Sequence, residues 1–360
     1  METNNNRIAQ NTDSQNKAHL SKIKTSRIFY PIAIGLAVVG YMIWDEFDIE
    51  AFSQLHFDVK SLFWLLMAIL CMFGRDIGYI IRIKVLSGGE LSWLEAFRII
   101  MLWEFTSAIT PSAIGGTSFA IIYVHKEGLS VGKSSAIVLL TSFLDELYFV
   151  VMFPLLVMIV GGDRLFGEVH EVGLSVESGI LAIALTGYIL KLSYCILISY
   201  GLFINSKGFK ILLFNIFKLK FLRKYHRKAI KVGDDIETAS RGIKNKGLKF
   251  WAKAISSTFL SWSSRYLVVN CILLAFFAGG DQILLFARQL IMWIMMLIMP
   301  TPGGSGFAEF LFKEYLGQFI PIASLAVIMA LLWRLVTYYP YLIAGAIMFP
   351  RWIKSKFGKK

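Results

Sequence analysis

Long apolar runs separated by short polar loops dominate this chain. A helix crossing a bilayer needs about 20 mostly apolar residues. Runs of that kind cover 28–44, 61–83, 134–160, 178–204, 254–279 and 322–349. Two more apolar stretches are interrupted. Residues 94–124 break at Thr110-Pro111-Ser112 and Gly115-Gly116, and 283–316 break at Pro300-Thr301-Pro302-Gly303-Gly304. Proline removes a backbone donor and glycine frees the chain to turn, so each stretch divides into arms too short for a span. The pattern predicts an all-α fold: a polytopic membrane protein with about six full spans plus two re-entrant helical hairpins.

The two breaks are near copies. Gly115-Gly116-Thr117-Ser118-Phe119-Ala120 matches Gly303-Gly304-Ser305-Gly306-Phe307-Ala308, each after a proline, Pro111 or Pro302. Loop charge orients the halves. Basic residues gather in the tail 1–27 (Arg7, Lys17, Lys22, Lys24, Arg27), around Arg82 and Lys84, at His125, Lys126 and Lys133, through 205–253, and in the tail 351–360. Acidic residues fill 45–58 and 161–177. Positive loops stay in the cytoplasm, so both termini are expected inside the cytoplasmic membrane. The hairpins then enter from opposite sides, which makes halves 61–160 and 254–349 an inverted repeat within a domain covering 28–350. Residues 1–27 read as a disordered basic tail. The run 28–44 ends in Asp45-Glu46 without a small-residue cleavage site and reads as an uncleaved span.

Composition agrees, with 56% hydrophobic and 17% charged residues in 360. The net charge of +13 falls in cytoplasmic segments, which points to anionic lipid head groups and away from nucleic acid. In the loop 205–253, Phe209, Leu212, Leu213, Ile216, Phe217 and Phe221 recur at helical spacing. They fit either an amphipathic helix on the inner leaflet or a linker helix packed on the bundle. Trp44, Trp93, Trp251 and Trp352 are expected as interfacial anchors. Cys71, Cys195 and Cys271 are scattered in apolar runs and read as small buried hydrophobes. The histidines do not cluster, and neither a metal nor another cofactor is expected.

Candidate chemistry lies first at the hairpin tips. After each double glycine a new helix is expected, capped by Thr117-Ser118 or by Ser305. Exposed amides and the helix dipole there attract phosphate, while the bland alternative is that the glycines only let helices cross closely. Charges within apolar runs come second, since each needs a partner or a wet cavity. These are Arg75 and Asp76, with Tyr79 and Arg82 continuing the Arg75 face, then Glu104, Asp145-Glu146, Arg265, Arg288, Glu309, and Arg334 with Tyr338. Asp145 and Arg334 follow the two hairpins at equivalent places and are expected to meet or to face one cavity. Arg82, Arg265 and Arg288 are expected to snorkel to the head groups.

These motifs resemble the flippase-like, lysylphosphatidylglycerol synthase transmembrane-region family. The segment PTPGGSGFAEFLFKEYLG, followed by LLWRLVTYYPYLIAG, resembles its second-half signature. The matching positions are Pro300, Pro302, Gly303, Gly304, Gly306, Glu309, Arg334 and Tyr338. The first half is similar through Gly115-Gly116, Gly128 and Asp145. Many members carry an arginine beside the motif glutamate, where this chain has Ala308. Members that make aminoacylated lipids add a large soluble synthase domain, for which this chain offers no counterpart, so lysyl transfer is not carried over. The resemblance implies the membrane half, associated with moving lipids between leaflets.

The leading expectation is therefore a translocator for a phospholipid or lipid-linked intermediate. The head group would lie on Gly115, Gly116, Thr117, Ser118, Pro302, Gly303, Gly304, Ser305 and Glu309, with Asp145, Arg334, Tyr338, Arg75 and Asp76 along a polar path. Two alternatives stand beside it: an intramembrane transferase using Asp145-Glu146 and Glu309, or a non-catalytic partner of a separately encoded enzyme. A homodimer is compatible with each.

Overall fold

The computed structural model describes residues 53, 55–110, 115–166, 175–218, 224, 226–277, 279–296 and 307–357. The expected first span, 28–44, and the second hairpin tip with Pro302, Gly303, Gly304 and Ser305 lie outside them, as does Pro111. The described residues are helical, with short connections and no strand. Five helical segments are long and apolar enough to cross a membrane: 59–86, 131–160, 181–204, 248–276 and 325–357. The chain is a polytopic all-α membrane protein.

Helix α1 (Val59–Leu86) starts where the Asp58 side chain accepts the Ser61 amide at 2.7 Å. Its Leu62, Phe63, Leu66, Ile69, Leu70, Phe73 and Ile77 form an exposed apolar face. Lipid can cover such a face without cost. The first broken stretch folds as α2 (Trp93–Ile109) and α3 (Gly115–Lys126), packed on each other. A reciprocal Ser92–Glu95 capping box starts α2. With 17 and 12 residues, the arms reach about 25 and 18 Å, short of the roughly 30 Å bilayer core.

Helix α4 (Val131–Val160) follows and contains Pro154. Proline cannot bond the carbonyl four residues back, and here the Tyr188 hydroxyl donates to that Val150 oxygen at 3.4 Å. After the short α5 (Gly162–Phe166), α6 (Ser175–Ser199) ends in one π-turn, Tyr200–Ile204.

The basic loop forms α7 (Ser206–Phe217) and α8 (His226–Ile243), which pack together, with α8 on α4. Phe209 is buried in that contact, while Ile211, Leu212, Phe214 and Ile216 stay exposed. The packed-linker alternative thus holds for one face of α7, and an apolar face remains for the leaflet.

The second half repeats the order of the first. Helix α9 (Leu248–Phe276) precedes two short arms, α10 (Gln282–Met296) and α11 (Phe307–Leu316), which also pack together. They have 15 and 10 residues, about 22 and 15 Å. The last span is not one straight helix over 322–349. It divides into α12 (Leu325–Thr337) and α13 (Tyr339–Phe357) at Tyr338. Pro340, whose ring crowds the carbonyl of Val336, accounts for the division. Helix α13 also carries Arg351, Lys354 and Lys356, which the sequence placed in a tail.

Helices α1 and α9 make the closest long contact of the bundle. Gly74 and Gly78, four apart on α1, face Ser257, Ser261 and Ser264 on α9. A Cβ at Gly78 would stand 2.6 Å from the Ser257 carbonyl oxygen. Small residues at this spacing let backbones approach and gain dispersion energy where lipid gives no hydrophobic drive. The Ser261 hydroxyl seals the seam by donating to the Arg75 carbonyl at 3.0 Å.

Trp352 does not anchor at the interface. It is buried, and its indole donates to Glu127 at 3.1 Å, while Arg98 and Lys356 pair with the same carboxylate. Glu127 thereby ties α13 to the first hairpin. Trp93 is exposed beside Lys84, as an anchor would be. Cys195 and Cys271 are buried and Cys71 is half-buried, all three as free thiols.

Candidate functional site

A cavity of about 330 Å³ opens among helices α1, α2, α4, α6, α9, α10, α12 and α13, within the roughly 300–1,000 Å³ of small-ligand pockets. The first half contributes Tyr79 and Arg82 from α1, Trp103, Glu104 and Ser107 from α2, and Asp145 and Glu146 from α4. The second contributes Trp262 and Arg265 from α9, Trp293 and Met296 from α10, and Arg334, Thr337, Tyr338 and Tyr341 from α12 and α13. Lys191 of α6 completes the wall.

Five ion pairs surround this space. Arg75, buried between α1 and its neighbours, pairs with Asp76 at 3.1 Å and with Glu104, and lies over the Tyr341 and Tyr79 rings. The Tyr341 hydroxyl donates to the second Asp76 oxygen at 2.8 Å. Arg82 grips Asp145 at 2.5 Å, and the Trp262 indole donates to the same oxygen at 2.6 Å. Lys191 meets Glu146 at 2.5 Å. Arg334 meets Glu309 through Nε and Oε1 at 2.8 Å, both side chains buried. A lone charge at bilayer depth costs on the order of 2.5–3.5 kcal/mol, which pairing offsets.

Asp145 and Arg334 do line one cavity, but they are not partners: each is already paired, Asp145 with Arg82 and Arg334 with Glu309. Tyr338 faces the same space, its hydroxyl donating to the Ala108 carbonyl at 3.1 Å. That contact fixes the last span against the end of the first hairpin's incoming arm. Arg75, Asp76 and Glu309 stand behind the wall as partners of residues in it.

The first hairpin tip differs from expectation. Helix α3 begins at Gly115, so Thr117 and Ser118 lie in its first turn, exposed and outside the cavity wall, and do not precede the helix as caps. Gly116 sits where the arms cross: a Cβ there would fall 2.2 Å from the Ser107 hydroxyl and 3.3 Å from the Trp103 indole nitrogen. Its close-crossing role is therefore real.

The snorkelling arginines are also corrected. Arg82 is buried in its pair with Asp145. Arg288 is buried too, donating to the Arg164 carbonyl at 2.9 Å and lying over the Tyr315 ring. Arg265 faces the cavity. Each had a polar or aromatic receptor inside the bundle, which a head group at the surface could not better. Lys191 and Trp262 were missed. A lysine in the middle of the run 178–204 was a signal available to sequence reading, whereas Trp262 is one tryptophan among nine and only packing singles it out.

The fold and this cavity define a multi-pass membrane protein with a charged site among its helices. The family of the lysylphosphatidylglycerol synthase TM region matches residues 28–345, and the chain belongs to it. It is also similar to a UPF0104 membrane protein of Archaeoglobus fulgidus, 30% identical over 320 residues that cover 84% of this chain and 91% of that protein. No solved structure matches it.

Proposed function

We propose that the protein is a lipid translocator of the cytoplasmic membrane, moving a phospholipid or lipid-linked intermediate between leaflets with its head group in the charged cavity. The observation that carries this reading is that helices distant in the chain build one cavity, and that its charges, Glu104 on the shorter α2 apart, lie on helices of membrane-spanning character. A head group needs such polar lining only while it crosses hydrocarbon, and its acyl chains need none. Asp145, Arg334 and Tyr338 face the head group, with Arg75, Asp76 and Glu309 holding the lining in place. The duplicated element order supports alternating access by rocking of two inverted halves, with both termini in the cytoplasm.

Asp145 and Glu146 are each held by a cation. This weighs against a transferase, because a general acid or base must exchange its proton with the reactant. Leaflet-resolved movement of fluorescent anionic and aminoacylated lipids in proteoliposomes tests the reading. Movement by the wild type, lost in Asp145→Asn, is expected. Product formation by the protein in detergent, with no movement in vesicles, would replace the translocator with an enzyme.

A further inference from the structure

Five cations and five carboxylates surround the cavity, so the charge balances, but the pairing is not one to one. Arg82, Lys191 and Arg334 each hold one carboxylate, and Arg75 holds two. Arg265 forms no ion pair or hydrogen bond with any of the described residues, although it faces the cavity. Asp76 is within its electrostatic range, but that carboxylate is occupied by Arg75 and Tyr341.

Two aromatic rings flank Arg265. Its guanidinium lies 4.3 Å from the Trp293 ring centre and 5.6 Å from that of Trp262. Trp262 is itself held by its bond to Asp145 and by an edge-to-face contact with Trp293, centroids 5.4 Å apart. Stacking satisfies the faces of a guanidinium and leaves its N–H edge unpaired. A planar fork of donors held over a ring, with no acceptor among the described residues, matches the oxygens of a phosphate. The tryptophans sit on α9 and on the incoming arm of the second hairpin, so the anchor spans a joint between elements.

We infer that Arg265, stacked on Trp293, is the residue that holds the anionic phosphate group of the ligand in this cavity. The inference rests on the cavity being the ligand site, and it names the group recognised there. It moves the phosphate contact from the hairpin tips to the cavity wall.

Binding can be measured apart from transport. The purified full chain in detergent is titrated with dihexanoyl phosphatidylglycerol, with inorganic phosphate and with uncharged dihexanoylglycerol, followed by tryptophan fluorescence and thermal shift. Wild type is expected to bind the phosphatidylglycerol saturably and the uncharged lipid not at all. Arg265→Gln is expected to weaken binding by about 10- to 100-fold, the range for a charge-assisted hydrogen bond. Arg265→Lys, which keeps the charge and loses the planar fork, should fall between them and guards against a folding defect in the first variant. Equal affinity in wild type and both variants, or no binding of either phosphate-bearing probe, overturns the assignment. Binding of inorganic phosphate in place of the lipid keeps Arg265 as the anion site and removes the lipid as its source. Retained Arg265-dependent binding without lipid movement in vesicles would overturn translocation and leave the anchor standing.

Discussion

Arg334 closes on Glu309 across 25 residues of sequence, from the last span back to the first turn of α11, with 2.8 Å between Nε and Oε1. Glu309 also lies where the positive end of that helix favours a carboxylate. The arm beyond the second break and the final span are thereby locked by one buried contact. Removing either partner deprives the other buried charge of this counter-charge, at a cost of about 3–5 kcal/mol. Glu309→Ala and Arg334→Met should each melt well below wild type in detergent. The double variant should be less destabilised than the two losses summed. Strict additivity in that double-mutant cycle would show that the pair does not act as a unit.

At Asp145 the expected defect is functional. Asparagine keeps the shape and can still accept the Trp262 bond, but Arg82 loses its counter-charge in the cavity. We expect Asp145→Asn to reach the membrane in normal amount and to slow lipid movement at least tenfold, about 1.4 kcal/mol. Normal transport rates in this variant would remove the Arg82–Asp145 pair from the pathway.

The glycine contacts give a graded prediction about packing. Alanine at Gly345 would place its Cβ 2.1 Å from the Phe105 ring, and alanine at Gly78 would press on the α9 backbone. Both rings and backbones there are buried, so relief requires helices to move apart, typically at 1–3 kcal/mol. Gly242 is helical with nothing within 4 Å of a new Cβ. Gly242→Ala should therefore be neutral or stabilise by up to about 1 kcal/mol. Thermal unfolding of the three variants should rank Gly242→Ala above the other two.

One acid-sensitive contact lies in the loop before α10. The Leu284 amide, foremost, and also Arg164 and the Ile283 amide hold the Asp281 carboxyl below the ordinary aspartate range against the opposing effect of burial. A lowered carboxyl adds stability above its unfolded value, near 3.9, and loses it as pH falls through the folded one. The carboxylate is partly exposed, so screening holds the effect to less than about 1 kcal/mol. Between pH 5 and pH 3, wild type should lose slightly more thermal stability than Asp281→Asn. An identical pH response would exclude this cap as the source.

Hydropathy determined the class, a polytopic all-α membrane protein, and the short arms flanking each expected break, because hydrocarbon leaves a chain few ways to satisfy its backbone and each way has a length. The α1–α9 seam was also written in the chain, as glycines four apart opposite serines, though only docked helices reveal what a glycine spacing serves. Pairing was decided by the tertiary structure alone. Asp145, Glu146 and Arg334 each needed an opposite charge in space, and sequence order does not say which helix supplies it. Arg82, Lys191 and Glu309 became partners because packing brought them within about 3 Å, at which distance alternatives across the cavity could not compete. Arg265 reads in sequence like any arginine within an apolar run. Its orientation toward the cavity, on the face of Trp293, arises only where α9 and α10 meet.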